Sequence, residues 1–401
     1  MKKIVSLLLC LALLMSVTLL SACGSKIQQY TEDEITAAAE SAAATATTDT
    51  TTAAAAETVE DDPAPGCDTY DADFVVCTVD GSEVTWEEYY YWLNYNREYI
   101  LAYLGTIEDW NSQYTEDMTF ADVLLESASN GIAQYHTMQT WAAELGVTLS
   151  EEDEAAIVEY FETTADSYSG DGDGVCTEEE AAAFQEYLDT LFVSRELYDF
   201  ITEVSLLQSD IYVEQFGADA EAITDEEVEA WIDEQGLLSA KHILLLTNDL
   251  TDEDEIAAVR EQAEELYAQL AAVTDQEEMI ALFDTLMAEY GEDPGMQSQP
   301  DGYVFLPAQM VTEFSDATAA LDVNYGLSEV VESSYGYHII LRLPITRDSL
   351  VTDSSTGYSY TVASQVASER LTADFSARLD AAEIVWTEGL DQLDLNALFN
   401  S

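Results

Sequence analysis

No proline falls between Gly66 and Asp293; all six of the chain's prolines lie outside that stretch. Proline removes a helix hydrogen bond and clashes with the preceding turn, so the stretch is free to build long helices. Its local patterns agree. Thr85-Trp86-Glu87-Glu88 reads as a capping box opening a helix that carries Tyr89, Tyr90, Tyr91, Trp92, Tyr95 and Tyr99. Thr224-Asp225-Glu226-Glu227 reads as another, with its helix passing Trp231 and stopping at Gly236. The tyrosine band suits either a core or a binding surface, and such bands are more often core.

Charge narrows the partners. Eleven Lys and Arg stand against 81 Asp and Glu, a formal net charge of −70. A nucleic-acid binder needs a basic face to displace counterions from phosphate, and an electrostatic lipid binder needs the same sign, so both classes are excluded. With 48% apolar and 10% aromatic residues the chain can still build real cores. Its length suggests two or three domains.

Lys2 and Lys3 precede an apolar run from Ile4 to Leu20, followed by Leu20-Ser21-Ala22-Cys23. A charged start, a short apolar stretch and small residues read as a secretory signal, residues 1–22, rather than a spanning helix. The tetrapeptide resembles a bacterial lipobox, which implies lipidation at Cys23 and an extracytoplasmic, membrane-anchored chain. Residues 23–66 read as a disordered tether, with twelve Ala and nine Thr between 31 and 66. Cys67 and Cys77 either pair or remain thiols. No Cys/His spacing suggests a metal or redox site.

From Leu238 the character changes. Ser239 to Leu246 is an apolar run of strand length, and Ile256, Val259, Ala263, Leu266, Leu270 and Val273 then follow one helical face. A second helix starts at Thr274-Asp275-Gln276-Glu277, a loop runs from Gly291 to Gly302, a short helix spans about Gln309 to Ala319, and Gly336 to Leu343 closes as a strand. The expected fold is α+β: a small antiparallel sheet with covering helices at 237–345, inserted into an all-α domain made of 67–236 and a C-terminal helical segment, 346–401, packing on it.

Four segments of the insert carry a resemblance. Ala240-Lys241-His242-Ile243-Leu244, Tyr290-Gly291-Glu292-Asp293, Gln309-Met310-Val311-Thr312-Glu313-Phe314 and Tyr335-Gly336-Tyr337-His338-Ile339-Ile340 resemble, in order, the parvulin-type peptidyl-prolyl isomerases. With the lipobox, tether and flanking helices, the whole chain is similar to the PrsA-like foldase lipoproteins. The resemblance implies a membrane-anchored isomerase of X–Pro bonds that assists the folding of secreted proteins, with a non-catalytic holdase as the alternative. It implies catalytic roles for His242, Asp293 and His338, and substrate contacts from Phe305, Gln309, Met310, Phe314 and Tyr335. It calls for no cofactor and no metal. The family's Gly-Gly-Asp-Leu-Gly loop is replaced by Gln299-Pro300-Asp301-Gly302-Tyr303, which alters one pocket wall. Arg260 is the only cation from Ile243 to Asp293, which argues against phosphorylated substrates.

The expected partners are unfolded secreted proteins and, through the lipid, a membrane; a homodimer is left open. Ser169 to Glu180 has an EF-hand-like order of oxygens, with Gly174 at the sixth place and Glu180 at the twelfth. Calcium at 169–180 is weighed against a flexible loop before a helix capped by Thr177, and the loop reading leads.

Overall fold

The computed structural model describes residues 64–169, 174–352, 358–390 and 393–399. The signal segment, the Cys23 lipobox and the tether up to residue 63 lie outside the described residues, as do residues 170–173 of the acidic loop. The described residues divide into two compact units, one built from residues up to 215 with those from 370 onward, the other spanning 216–369.

The first unit opens on a hairpin. Strands β1 (Val75–Val79) and β2 (Ser82–Thr85) are joined by Asp80 and Gly81 at φ 52° and 89°, the doubly left-handed turn that matches strand twist. Helix α1 (Trp86–Leu104) follows directly, capped by Thr85, whose hydroxyl accepts from the Glu88 amide at 3.3 Å. Only half of the expected capping box forms. The Glu88 carboxylate turns instead into the interior, where His136 Nε2 lies 3.1 Å away. Helices α2 (Phe120–Leu145), α3 (Glu151–Ser169), α4 (Glu178–Thr190) and α5 (Arg195–Phe216) complete this stretch. The α4 cap is a full box between Thr177 and Glu180. The tyrosine band is mostly core: Tyr89, Tyr90, Tyr91 and Trp92 are buried, and Trp92 packs on Tyr135 with ring centroids 4.7 Å apart. Each such side chain contributes on the order of 1.5–3 kcal/mol by leaving water. Cys67 and Cys77 are both free thiols; burial pushes the Cys77 thiol up to about 12.

The second unit begins before helix α6 (Asp225–Gln235), which carries the expected Thr224–Glu227 capping box and the Gly236 stop at φ 67°. Then come β3 (Leu238–Leu246), α7 (Glu253–Ala271), α8 (Gln276–Tyr290), the short α9 (Pro294–Ser298), β4 (Tyr303–Phe305), α10 (Thr312–Ala320), β5 (Val331–Glu332) and β6 (Gly336–Arg342). The strands form one antiparallel sheet in the order β4-β3-β6-β5. The α8 cap is Asp275 rather than Thr274, because the Asp275 carboxylate accepts from the Glu278 amide. Helix α10 starts later than expected, since residues 307–309 form a separate 3-10 turn headed by Pro307.

Strand β3 is buried from Leu238 to Leu245 because both sheet faces are covered. Side chains alternate across a strand. Ile243, Leu245, Ile339 and Leu341 therefore face α7 and α8, against Ala263, Leu266, Leu270 and Phe283. Leu238, Ala240 and Ile340 face the other way, against Phe305 and Phe314. His242 and His338 fall on this second face.

Residues 346–352 and 358–361 do not continue as helix. They hold an antiparallel pair, β7 (Leu350–Thr352) with β8 (Ser359–Thr361), and this unit extends beyond 237–345 on both sides. Arg347 ties the two additions together, donating to the carbonyls of Ala220 and Ile223 at 2.8 and 3.0 Å. Helix α11 (Val362–Ala381) then leads back into the first unit, where β9 (Ile384–Trp386) and α12 (Leu395–Phe399) end the chain. There Phe375 stacks on Trp141, and β9 pairs with β1. The expectation of a purely helical domain thus needs correcting: it holds a three-stranded antiparallel sheet, β2-β1-β9. Strands of three to five residues carry too little alternation to be read locally.

Candidate active site

The site is built on the second face of the four-stranded sheet. In the β3–β6 ladder His242 pairs with Ile340 and His338 with Leu244, so the two imidazoles are diagonal neighbours on one face. Their rings stack with centroids 5.2 Å apart, and their Nδ1 atoms lie at 2.9 Å. Asp293 comes from the turn after α8. It caps α9, with Pro294 at the first helical position and the Gly295 amide donating to Oδ1 at 3.0 Å. That leaves Oδ2 for His242 Nε2 and for the Tyr303 hydroxyl, each at 2.8 Å. At the other end, Ser333 Oγ lies 2.7 Å from His338 Nε2.

Donor logic orients the chain. A carboxylate only accepts, so His242 donates from Nε2, and in its neutral form it presents a bare Nδ1. His338 then donates from Nδ1, and its bare Nε2 accepts from the Ser333 hydroxyl. Ser333 Oγ in turn accepts from the Tyr335 amide at 3.1 Å. In this arrangement every hydrogen bond from Ser333 to Asp293 points the same way.

The electrostatics agree. Burial pushes the His338 imidazole down to about 4, helped by the neighbouring His242 and opposed by Asp293. The His242 hydrogen bond holds the Asp293 carboxyl well below the ordinary range against the cost of burial, with help from Tyr303 and the Gly295 amide. Burial and the Asp293 carboxylate both push the Tyr303 phenol upward. The site thus holds one fixed anion, Asp293, and a neutral His338 ring.

Above the rings stands an apolar wall. Phe314 presents itself edge-on to both imidazoles, at 5.0 and 5.6 Å, and Phe305 lies 5.7 Å from Phe314. Met310 packs half-buried against this cluster. His242, Asp293, His338, Phe305, Met310 and Phe314 are therefore gathered in one place. Gln309 lines a neighbouring cleft with Phe305 and Met310, although its Oε1 turns back to accept from the Leu306 amide at 2.7 Å. Tyr335 is not among the gathered residues. The Tyr335 side chain is 51% exposed, and only its backbone amide joins the network. Tyr303 and Ser333 were missed as site residues. Tyr303 stood in view as part of the altered loop, and Ser333 only as one of a Ser-Ser-Tyr run. Among the described residues no group of three or more His, Cys, Asp or Glu side chains is placed to hold a metal, and no helix is long and apolar enough to cross a membrane.

Residues 242–343 match the family model described as Rotamase, PPIC-type PPIASE domain. Over 148 residues the chain is 34% identical to the foldase protein PrsA of Halalkalibacterium halodurans, which covers 36% of this chain and 38% of that protein. Over 59 residues it is 48% identical to foldase protein PrsA 4 of Bacillus cereus, 14% of this chain and 21% of that one. The chain thus matches less than two fifths of the length of these curated relatives. A crystal structure of PrsA from Bacillus subtilis covers 82% of this chain and 100% of its own, at 15% identity and a TM-score of 0.25. One of peptidylprolyl isomerase PrsA from Bacillus cereus covers 71% and 96%, at 19% identity and a TM-score of 0.27. The family model and the curated relatives bear out the resemblance to PrsA-like parvulin foldases, and residues 242–343 are the part that matches the isomerase model.

Proposed function

We propose that this chain isomerises X–Pro peptide bonds and assists the folding of secreted proteins outside the cell. The observation that carries the reading is the oriented chain Ser333–His338–His242–Asp293 lying under Phe314, Phe305 and Met310. The barrier to rotation, about 18–20 kcal/mol, comes from amide resonance, so the reaction needs neither a nucleophile nor a broken bond. It needs a site that favours the twisted amide over the planar one. The apolar wall takes the prolyl ring and excludes water, and the twisted amide, having lost its resonance dipole, is less penalised there than the planar form. The hydrogen-bonded rings supply a rigid floor, and Asp293 fixes their tautomers.

A protease-coupled assay on Ala-Pro peptides tests this. The wild-type chain is expected to accelerate isomerisation, and His242→Ala combined with Met310→Ala to lower kcat/KM by about a hundredfold, roughly 2.7 kcal/mol of transition-state stabilisation. Unchanged activity in the double variant would sink the enzymatic reading. Suppression of client aggregation without any turnover would favour the holdase.

The Leu-Ser-Ala-Cys tetrapeptide supports anchoring through a lipid on Cys23. In cells fed radioactive palmitate, the wild-type chain is expected to be labelled and membrane-bound, and Cys23→Ala to be unlabelled and released. An equally labelled Cys23→Ala chain would rule the anchor out.

A further inference from the structure

A cleft of about 520 Å³ opens beside the apolar wall, within the unit that spans 216–369. Tyr303, Phe305 and Met310 line one part of it and so belong to both the site and the cleft. Trp231 on α6, Tyr360 on β8 and Glu369 on α11 line another part, outside the segments that carry the isomerase resemblance. Its volume falls in the range of sites that enclose a small ligand or short peptide segment.

The charge of this cleft is one-sided. Glu369 is the only charged residue among its described lining residues. The Trp231 indole N–H donates to Glu369 Oε2 at 2.7 Å, which holds the carboxylate at the edge of the indole. Across residues 216–369 there are only four Lys and Arg against thirty-two Asp and Glu. Each of the four is already engaged: Lys241 with Asp284, Arg260 with Glu264, Arg342 with the carbonyls of Ala319 and Leu321, and Arg347 with the carbonyls of Ala220 and Ile223. A carboxylate in a cleft lined by Trp and Tyr side chains suits a cation, which gains a charge-assisted hydrogen bond and can stack on an aromatic ring.

We infer that the cleft is an extension of the prolyl site that receives the chain flanking the proline and selects a Lys or Arg there. The inference rests on the isomerase reading and gives that site a substrate class: proline segments of basic, unfolded chains. An acidic residue at the same place meets Glu369 and the surrounding negative field, so selectivity comes from repulsion as well as attraction.

The test is a series of short proline peptides, identical except for Lys, Gln or Glu scanned through the positions flanking the Ala-Pro bond. Turnover is read by NMR exchange, which needs no coupling protease with a preference of its own. With the purified full chain at low salt, the Lys peptide is expected to exceed its Glu counterpart in kcat/KM by about tenfold at one flanking position. Glu369→Gln and Trp231→Ala are each expected to bring that ratio below about threefold. Glu277→Gln, an exposed acid on α8 outside the cleft, serves as control and is expected to keep the wild-type ratio. A wild-type ratio near one overturns the inference, as does a full ratio retained in both cleft variants, which would assign the preference to the whole chain's field. If no peptide is turned over at all, the isomerase reading fails separately. The cleft is then read from dissociation constants of fluorescein-labelled Lys and Glu peptides by anisotropy. A Lys preference that depends on Glu369 upholds cation selection in the cleft, and its absence overturns it.

Discussion

His338 carries most of the site's sensitivity to pH. It is 3% exposed, sits among Phe314, His242 and Ser333, and stays neutral in the folded chain down to about 4, against about 6.5 for a solvated imidazole. Between those two values the unfolded chain binds a proton that the folded chain refuses, so unfolding is favoured as pH falls through the window. Nothing is lost above about pH 6.5; below it the loss of stability grows, and it levels off at roughly 3 kcal/mol once pH is below about 4. Asp293 acts in the same direction at lower pH, because its depressed carboxyl favours the folded state above the ordinary carboxylate range. Urea midpoints measured from pH 7.5 to 4.5 should therefore fall steadily for the wild type and more shallowly for His338→Gln. Parallel curves for the two proteins would show that the buried imidazole is not what sets the slope.

Strand β6 shows how one element holds both core and site. Its first residue, Gly336, has φ 150°, and a Cβ built there would lie 2.1 Å from the Leu245 carbonyl oxygen and 2.9 Å from the Thr247 amide. Those are backbone atoms of the β3 side of the ladder, with no flexible end to yield. Gly336→Ala is expected to cost on the order of 3 kcal/mol and to pull His338 away from His242, lowering activity beyond the loss of stability. Thermal unfolding read beside kcat/KM at a temperature where the variant is fully folded separates the two effects; a variant as stable as wild type would remove the steric argument. The same strand explains what could be read beforehand. The runs Ser239–Leu246 and Gly336–Leu343 are apolar and of strand length, which already puts His242 and His338 in facing strands. That they share a face comes from the register, which continuous apolar runs do not reveal. Ser333 was not readable, because its reach to His338 depends on the bend at 333–335 rather than on any period. The pairing of β9 with β1 was not readable either, since Cys77 and Trp386 meet across most of the chain and each strand is too short to advertise a partner. Similarly, nothing periodic marks the pairing of β7 with β8.

At the scale of the molecule the charge sets the conditions under which all of this operates. A net −70 over 401 residues places like charges on nearly every exposed helix face, and 11 cations offset few of them. Such a surface keeps the chain soluble while its self-repulsion opposes compaction. The repulsion acts mainly between exposed groups, which salt screens over about 10 Å at 0.1 M, whereas the buried Glu88–His136 pair and the Asp293–His242 bond are screened far less. Added salt should therefore stabilise the fold. Raising sodium chloride from about 10 mM to about 300 mM is expected to lift Tm by about 5 °C or more, with most of the rise complete near 0.15 M. Potassium chloride should act alike at equal ionic strength, because screening depends on charge and concentration rather than on the ion's identity. A Tm that stays flat or falls over this range would mean that the acidic faces are already neutralised by bound counterions. In that case the negative field invoked for selecting basic segments would be correspondingly weak at the cleft.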